Sequence, residues 1–276
     1  MKRILVPIDF SAQAEYAAKV AANIAKQTNS KLFLLHMLEL PLGVIDPSSY
    51  GSSSNTPTSL LFLKRAHEKF EDFKTNSFLE GIEMEDSVLF HKAFDGIIDE
   101  SKKHDIDLIV MGSKGTSGLE EMLVGSNTEK VVRNSEIPVL VIKQESKDFK
   151  IENIVFASNF KKENKKAFPK ILDFALLFNA KLHLLKINTI HNFETTKESS
   201  EAIKNFISGF DIGEFTLNIY NDVSIEAGIL NFSKIIDADM ILLNTHGRRG
   251  LAHLFSGSIG EDLVNHAKLP VITFKL

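Results

Sequence analysis

Gly112, Gly115, Gly118 and Gly125, the last followed by Ser126, fall between two apolar runs, 106–111 and 137–142. The runs read as buried strands, and the residues after Gly125 as the start of a helix. Glycine lets the backbone take positive φ and lets a ligand approach the main chain closely, while the unpaired N–H groups of a helix start favour an anion. The chemistry open to this spacing is capture of a phosphate, so the expected ligand is a nucleotide or another phosphate ester. Turn glycines without a ligand are the bland alternative. Two other phosphate signatures are missing from the sequence: no G-x-G-x-x-G follows the first strand and no G-x4-G-K-[ST] occurs. A dinucleotide-binding or P-loop enzyme is therefore disfavoured.

Residues that could carry catalysis are sparse. His36 and His91 end strands, and His246 and His253 flank a second glycine loop without a partnered acid or serine at recognisable spacing. No G-x-S-x-G elbow, H-E-x-x-H pair or EF-hand loop occurs. There is no cysteine, which removes disulfides, thiolate metal sites and cysteine nucleophiles. The sequence thus offers no catalytic residue and no confident metal ligand. Hydrolysis of a bound nucleotide should be slow at most, because positioning phosphates without a base or a clamp for the transition state supplies little rate.

The elements that must position the glycines come in two copies. ILVPIDF from Ile4 matches IVFASNF from Ile154, and KLFLLHM from Lys31 matches KLHLLKI from Lys181, both 150 positions apart. Further on, IDLIVMGSKG from Ile106 matches ADMILLNTHG from Ala238, and IPVLVIK from Ile137 matches LPVITFK from Leu269, both 132 positions apart. The chain reads as a tandem duplication, with repeats at 1–144 and 151–276 and a short linker near 144–150. The second copy is 18 residues shorter, missing the Ser-, Gly- and Pro-rich stretch that follows the second strand of the first copy. That stretch reads as a solvated insertion, or as a lid. In the first copy strands are expected near 3–8, 31–37, 87–91, 107–111 and 138–142. Ala17, Val20, Ala21 and Ile24 mark an amphipathic helix near the start, with Ser11 in its N-cap region. Alternating β and α with continuous apolar strands implies an α/β fold of two tandem doubly wound domains, each a five-stranded parallel sheet with helices on both faces. In such a sheet the ligand crevice lies outside the carboxyl ends of the strands, where Asp9, Met37 and Gly112 would converge.

Gly112-x2-Gly115-x9-Gly125-Ser126, together with an N-terminal KRILVPIDFS that contains Asp9, resembles the universal stress protein family, in the subgroup whose members bind ATP. The resemblance covers nearly the whole chain, twice over. It implies an adenosine against Pro7, Asp9 and Met37, and phosphates over Gly112, Gly115, Gly125, Ser126 and the neighbouring Asn127. ATP is the implied ligand, and Mg is admitted with it. It also implies that the fifth strands of two domains pair edge to edge, here Val139–Val141 beside Val271–Thr273. The chain would then be an intramolecular pseudo-dimer, with a homodimer left open. The second copy departs from the pattern: Asn159 stands for Asp9, Ala157 for Pro7 and Asn244 for Gly112, while Gly247, Gly257 and Ser258 are kept. Arg248 and Arg249 could still hold an anion, so a weak second site is conceivable there.

Length and composition set the remaining limits. With 276 residues, 43% hydrophobic and 25% charged, the chain can bury substantial cores. A net charge of −4 leaves no electrostatic footprint for nucleic acid, and no apolar run is long enough to span a membrane. The one basic cluster, Lys161, Lys162, Lys165, Lys166 and Lys170, lies at helical spacing opposite Ala167, Ile171 and Phe174 and reads as a solvated helix face. With no signal-peptide core at the start, the expected location is the cytoplasm. The favoured function is ATP binding that regulates conformation or the choice of an unknown protein partner. The alternative is a slow ATP-dependent hydrolase or transferase.

Overall fold

The structure, a computed structural model, describes residues 1–39, 58–113, 124–145, 149–245 and 259–276. The first half runs β1 (Arg3–Pro7), α1 (Ala12–Thr28), β2 (Lys31–Leu38), α2 (Thr58–Lys74), β3 (Met84–Phe90), α3 (Ala93–Lys103), β4 (Leu108–Gly112), α4 (Ser126–Asn134) and β5 (Val139–Ile142). The second half repeats it as β6 (Asn153–Ala157), α5 (Phe168–Leu176), β7 (Lys181–Asn188), α6 (Thr196–Ile207), β8 (Phe215–Asn221), α7 (Ile225–Ile235), β9 (Met240–Thr245), α8 (Ile259–His266) and β10 (Val271–Lys275). Most of the Ser-rich stretch read as an insertion or lid lies outside the described residues.

The strands form one sheet in the order β3-β2-β1-β4-β5-β10-β9-β6-β7-β8. Pairing is parallel within each half and antiparallel at the seam, where Val139, Leu140 and Val141 face Thr273, Ile272 and Val271. The seam removes two edges that would otherwise expose unpaired backbone. Alternate side chains feed two cores. Ile4, Val6, Leu108 and Val110 pack under α1 and α2, whereas Leu5, Ile109, Met111 and Val141 pack under α3 and α4. Each core continues into the second half, through Ile154, Phe156 and Ile272 on one face and Val155, Ile241 and Val271 on the other.

A carboxylate anchors the first strand of each half. Asp107 Oδ2 accepts from the Lys2 and Arg3 N–H groups at 2.6 and 3.1 Å, and Asp239 Oδ2 accepts from those of Glu152 and Asn153 at 2.8 and 2.9 Å. These pairs satisfy amides that the strand starts leave over.

The halves differ in how the first helix meets the sheet. α1 buries Ala14, Ala17, Ala18, Ala21, Ala22 and Ala25, so its backbone lies close on the strands. A Cβ on Gly112 would stand 2.7 Å from the carbonyl oxygen of Gln13. The second half has Asn244 in place of Gly112, and its first helix is altered. Lys162–Lys166 form a 3-10 turn, α5 begins only at Phe168, and the rings of Phe156, Phe160, Phe168 and Phe206 pack against one another. The lysine cluster expected on one helix face is split accordingly, with Lys170 alone inside α5. Lys165 donates to the Ser208 carbonyl at 3.1 Å and lies over the Phe210 ring.

Candidate functional site

A cavity of about 270 Å³ opens at the carboxyl ends of β1, β2 and β4. Its walls bring together Pro7, Asp9, Met37, Gly112, Gly125, Ser126 and Asn127 from four separate elements. Gly115 lies outside the described residues. Ala14 of α1, Ala93 and Ile97 of α3, and Thr128 of α4 complete much of the lining.

The chain leaves β1 through a sharp local turn. Asp9 Oδ1 accepts from the Ser11 N–H at 3.0 Å, Phe10 takes φ of 62°, and Ser11 Oγ caps α1 by accepting from the Ala14 N–H at 3.2 Å. A bulky residue at positive φ costs of order 1–3 kcal/mol and persists only where its surroundings over-determine it. Here the Phe10 ring is held between His36, Phe70 and Phe73. Phe160 repeats the conformation at φ 54°, with Asn159 Oδ1 accepting from the Lys161 N–H. The turn is thus a property of the framework, and the carboxylate at Asp9 belongs to the first half alone.

His36 contributes to the cavity wall in a way its sequence context did not reveal. Its Nδ1 lies 2.6 Å from the Ile8 carbonyl. A carbonyl can only accept, so the proton sits on Nδ1 and the neutral ring keeps Nε2 as an acceptor. Burial holds the His36 pKa below its usual value, against the pull of the Ile8 carbonyl and Asp9. Glu39, also unforeseen, reaches from beyond β2 to accept the Ala93 N–H at 2.7 Å and so caps α3. Its place two residues after Met37 was the available signal. Gly96 lets α3 approach the same wall, since a Cβ there would meet the Met37 methyl at 2.4 Å.

The helix start that lines the cavity is that of α4. Its N-cap is Gly125, which has no side chain to satisfy the first amides, whereas Ser11, Thr195 and Ser224 each cap their helices. The helix start faces the cavity through Ser126, Asn127 and Thr128. Two bonds fix it there: the Gly125 N–H donates to the Ser113 carbonyl at 2.7 Å, and Thr128 Oγ1 donates to the Gly112 carbonyl at 3.0 Å.

The same region of the second half is built differently. Asn164, at the position of Ala14, donates to Asn159 Oδ1 at 2.5 Å. Lys186 replaces His36 and is buried against the carboxylate of Glu194, while Asn188 donates to the Glu194 carbonyl at 3.0 Å. Asn164 Oδ1, Asn188 Oδ1 and Asn244 Nδ2 are buried without a partner among the described residues. Gly247, Arg248, Arg249, Gly257 and Ser258 lie outside the described residues, as do His246 and His253.

The profile of the universal stress protein family matches residues 1–143 and 219–275. The chain belongs to this family. Universal stress protein MJ0531 of Methanocaldococcus jannaschii is 31% identical over 147 residues, covering 53% of this chain and 85% of that protein. Universal stress protein Slr1230 of Synechocystis is 23% identical along the full length of both chains. A crystal structure of a universal stress protein from Archaeoglobus fulgidus superposes with a TM-score of 0.75 at 20% identity, covering 99% of this chain and 96% of that one. That likeness extends the fold across both halves. The family match in the second half begins at Ile219, within β8, and so leaves out Asn159, Asn164 and Lys186.

Proposed function

We propose that this universal stress protein binds ATP in the first-half cavity and acts as a nucleotide-responsive regulator, through conformation or partner choice. The observation that carries the reading is the start of α4, whose N-cap Gly125 supplies no side-chain cap and whose first residues line the same cavity as Asp9 and Met37. Unpaired helix-start amides favour a phosphate, and a carboxylate in the same lining suits the hydroxyls or amine of a nucleoside. Adenosine would lie against Pro7, Asp9 and Met37, and phosphates against Gly112, Gly125, Ser126 and Asn127, with Gly115 in the intervening loop. Magnesium would enter with the nucleotide; among the described residues no cluster of three or more His, Asp or Glu occurs. Mg²⁺ suits that role, binding through phosphates and one or two carboxylates while retaining water.

The proposed units are a nucleotide-binding repeat at 1–144 and a degenerate one at 151–276. Mass spectrometry of small molecules released from freshly purified, denatured protein tests the reading, with ATP or ADP near one per chain as the expected result. Absence of any nucleotide, joined with no heat of binding for Mg-ATP at millimolar concentration, would refute it.

A further inference from the structure

The stem of the phosphate loop is held from the other half of the chain. Val124 immediately precedes the N-cap Gly125, and its N–H donates to Asn265 Oδ1 at 3.1 Å, across 141 residues of sequence. Asn265 lies in α8, and its own backbone carbonyl accepts from the Lys143 ammonium at the end of the fifth strand. At the far end of α4, the Asn134 carbonyl accepts from Lys275 Nζ of the second half at 3.0 Å. Both ends of the helix that faces the cavity are therefore tied across the β5–β10 seam, and the tie nearest the phosphate position is a single amide oxygen.

We propose that Asn265 is a positioning residue for the first-half phosphate site, so that nucleotide affinity depends on the second half and occupancy is felt at α8. The inference rests on the nucleotide-binding reading above. Val124, Gly125 and Ser126 are consecutive, so a shift of the Val124 amide turns the donors at the helix start. Coupling between two sites is reciprocal in free energy: if α8 sharpens the site, a ligand in the site must steady α8.

The test uses the intact chain. Asn265→Leu retains bulk and removes the acceptor, and Asn265→Asp retains an acceptor. Calorimetric titration with Mg-ATP should show binding about three- to tenfold weaker for Asn265→Leu, the range expected for one hydrogen bond. Without nucleotide, hydrogen exchange at the Val124 amide should rise in Asn265→Leu and stay low in Asn265→Asp. On adding Mg-ATP to wild type, exchange at residues 263–266 should slow, and that response should vanish in Asn265→Leu. Equal affinities for wild type and Asn265→Leu overturn the inference and leave the proposed function standing. A wild-type chain that binds no Mg-ATP overturns both. Should Asn265→Leu fail to fold, the wild-type measurement decides alone, and no nucleotide-dependent change at α8 overturns the inference.

Discussion

Gly112→Ala tests whether the site depends on the close approach of α1 to β4. The new Cβ would lie 2.7 Å from the Gln13 carbonyl oxygen and 2.8 Å from its carbon, both backbone atoms. Reaching an ordinary contact of 3.4 Å requires the helix start or the strand end to move by about 0.7 Å. Overpacking of this kind costs about 1–3 kcal/mol. Lower chain entropy in the unfolded state offsets about 0.4–1 kcal/mol. The expected net loss is thus about 1.3 kcal/mol at the middle of these ranges and no more than about 2.6 kcal/mol, read as a lower midpoint in urea unfolding. Displacement also moves Asp9 and Ser11, which precede the helix, and Thr128, whose hydroxyl bonds the Gly112 carbonyl. Mg-ATP affinity measured by calorimetry should therefore fall about tenfold or more, the equivalent of about 1.4 kcal/mol. Asn244→Ala is the matched control: the second half already has a 3-10 turn there, and the change removes a buried amide nitrogen without a partner, so stability should hold or rise. A Gly112→Ala protein as stable and as tightly binding as wild type would show that the start of α1 yields freely, and the packing account would fall.

Three further outcomes are expected. Burial lowers the pKa of both His36 and His183, so the unfolded chain takes up protons near the ordinary histidine value of 6.5 before the folded chain does. Stability should be full above about pH 6.5 and decline below it, and His36→Gln should flatten part of that slope in urea midpoints measured from pH 8 to 5; an unchanged slope would remove His36 from the account. Lys186→Met should alter stability by no more than about 1 kcal/mol, since Glu194 can turn to water, whereas Glu194→Ala strands a buried ammonium and should cost about 3 kcal/mol; equal losses in thermal unfolding would contradict this asymmetry. Titration should give one tight Mg-ATP per chain, weakened about ten- to a hundredfold by Asp9→Ala through loss of a charge-assisted hydrogen bond; a stoichiometry near two with one affinity would show the second half to be a working site.

Much of the framework was legible because it is written in apolar periodicity and repeated. β1, β2, β4 and β5 begin and end within a residue or so of their expected bounds, and Ser11 caps α1 as its position suggests. β3 begins at Met84 and not at Ser87, because Met84, Glu85 and Asp86 lie toward the sheet edge, where polar residues can join a ladder without an apolar signal. The strand ends also indicated which distant residues would meet, and Pro7, Asp9, Met37, Gly112, Gly125 and Ser126 do line one cavity. What was not legible depends on contacts remote in sequence. His36 has a fixed tautomer only because Ile8 presents a carbonyl 28 residues away. Lys186 could be matched to His36 by the repeat, yet its burial against Glu194 follows from a loop that the repeat does not align. Asn265 carries no signal at all until α8 is laid against α4.

The two halves share what holds the fold and differ at the places a ligand would touch. Shared are the Asp107 and Asp239 anchors and the left-handed Phe10 and Phe160. Different are Asp9 and Asn159, Gly112 and Asn244, Ala14 and Asn164, His36 and Lys186. In the first half these residues are small or leave polar atoms facing the cavity. In the second half Asn164 and Lys186 turn to internal partners, Asn159 and Glu194. Those inward bonds occupy groups that would otherwise meet a ligand, while three amide atoms of that half are buried without a partner among the described residues. The second half nonetheless reaches the helix that faces the first-half cavity, because α8 and β10 hold both ends of α4.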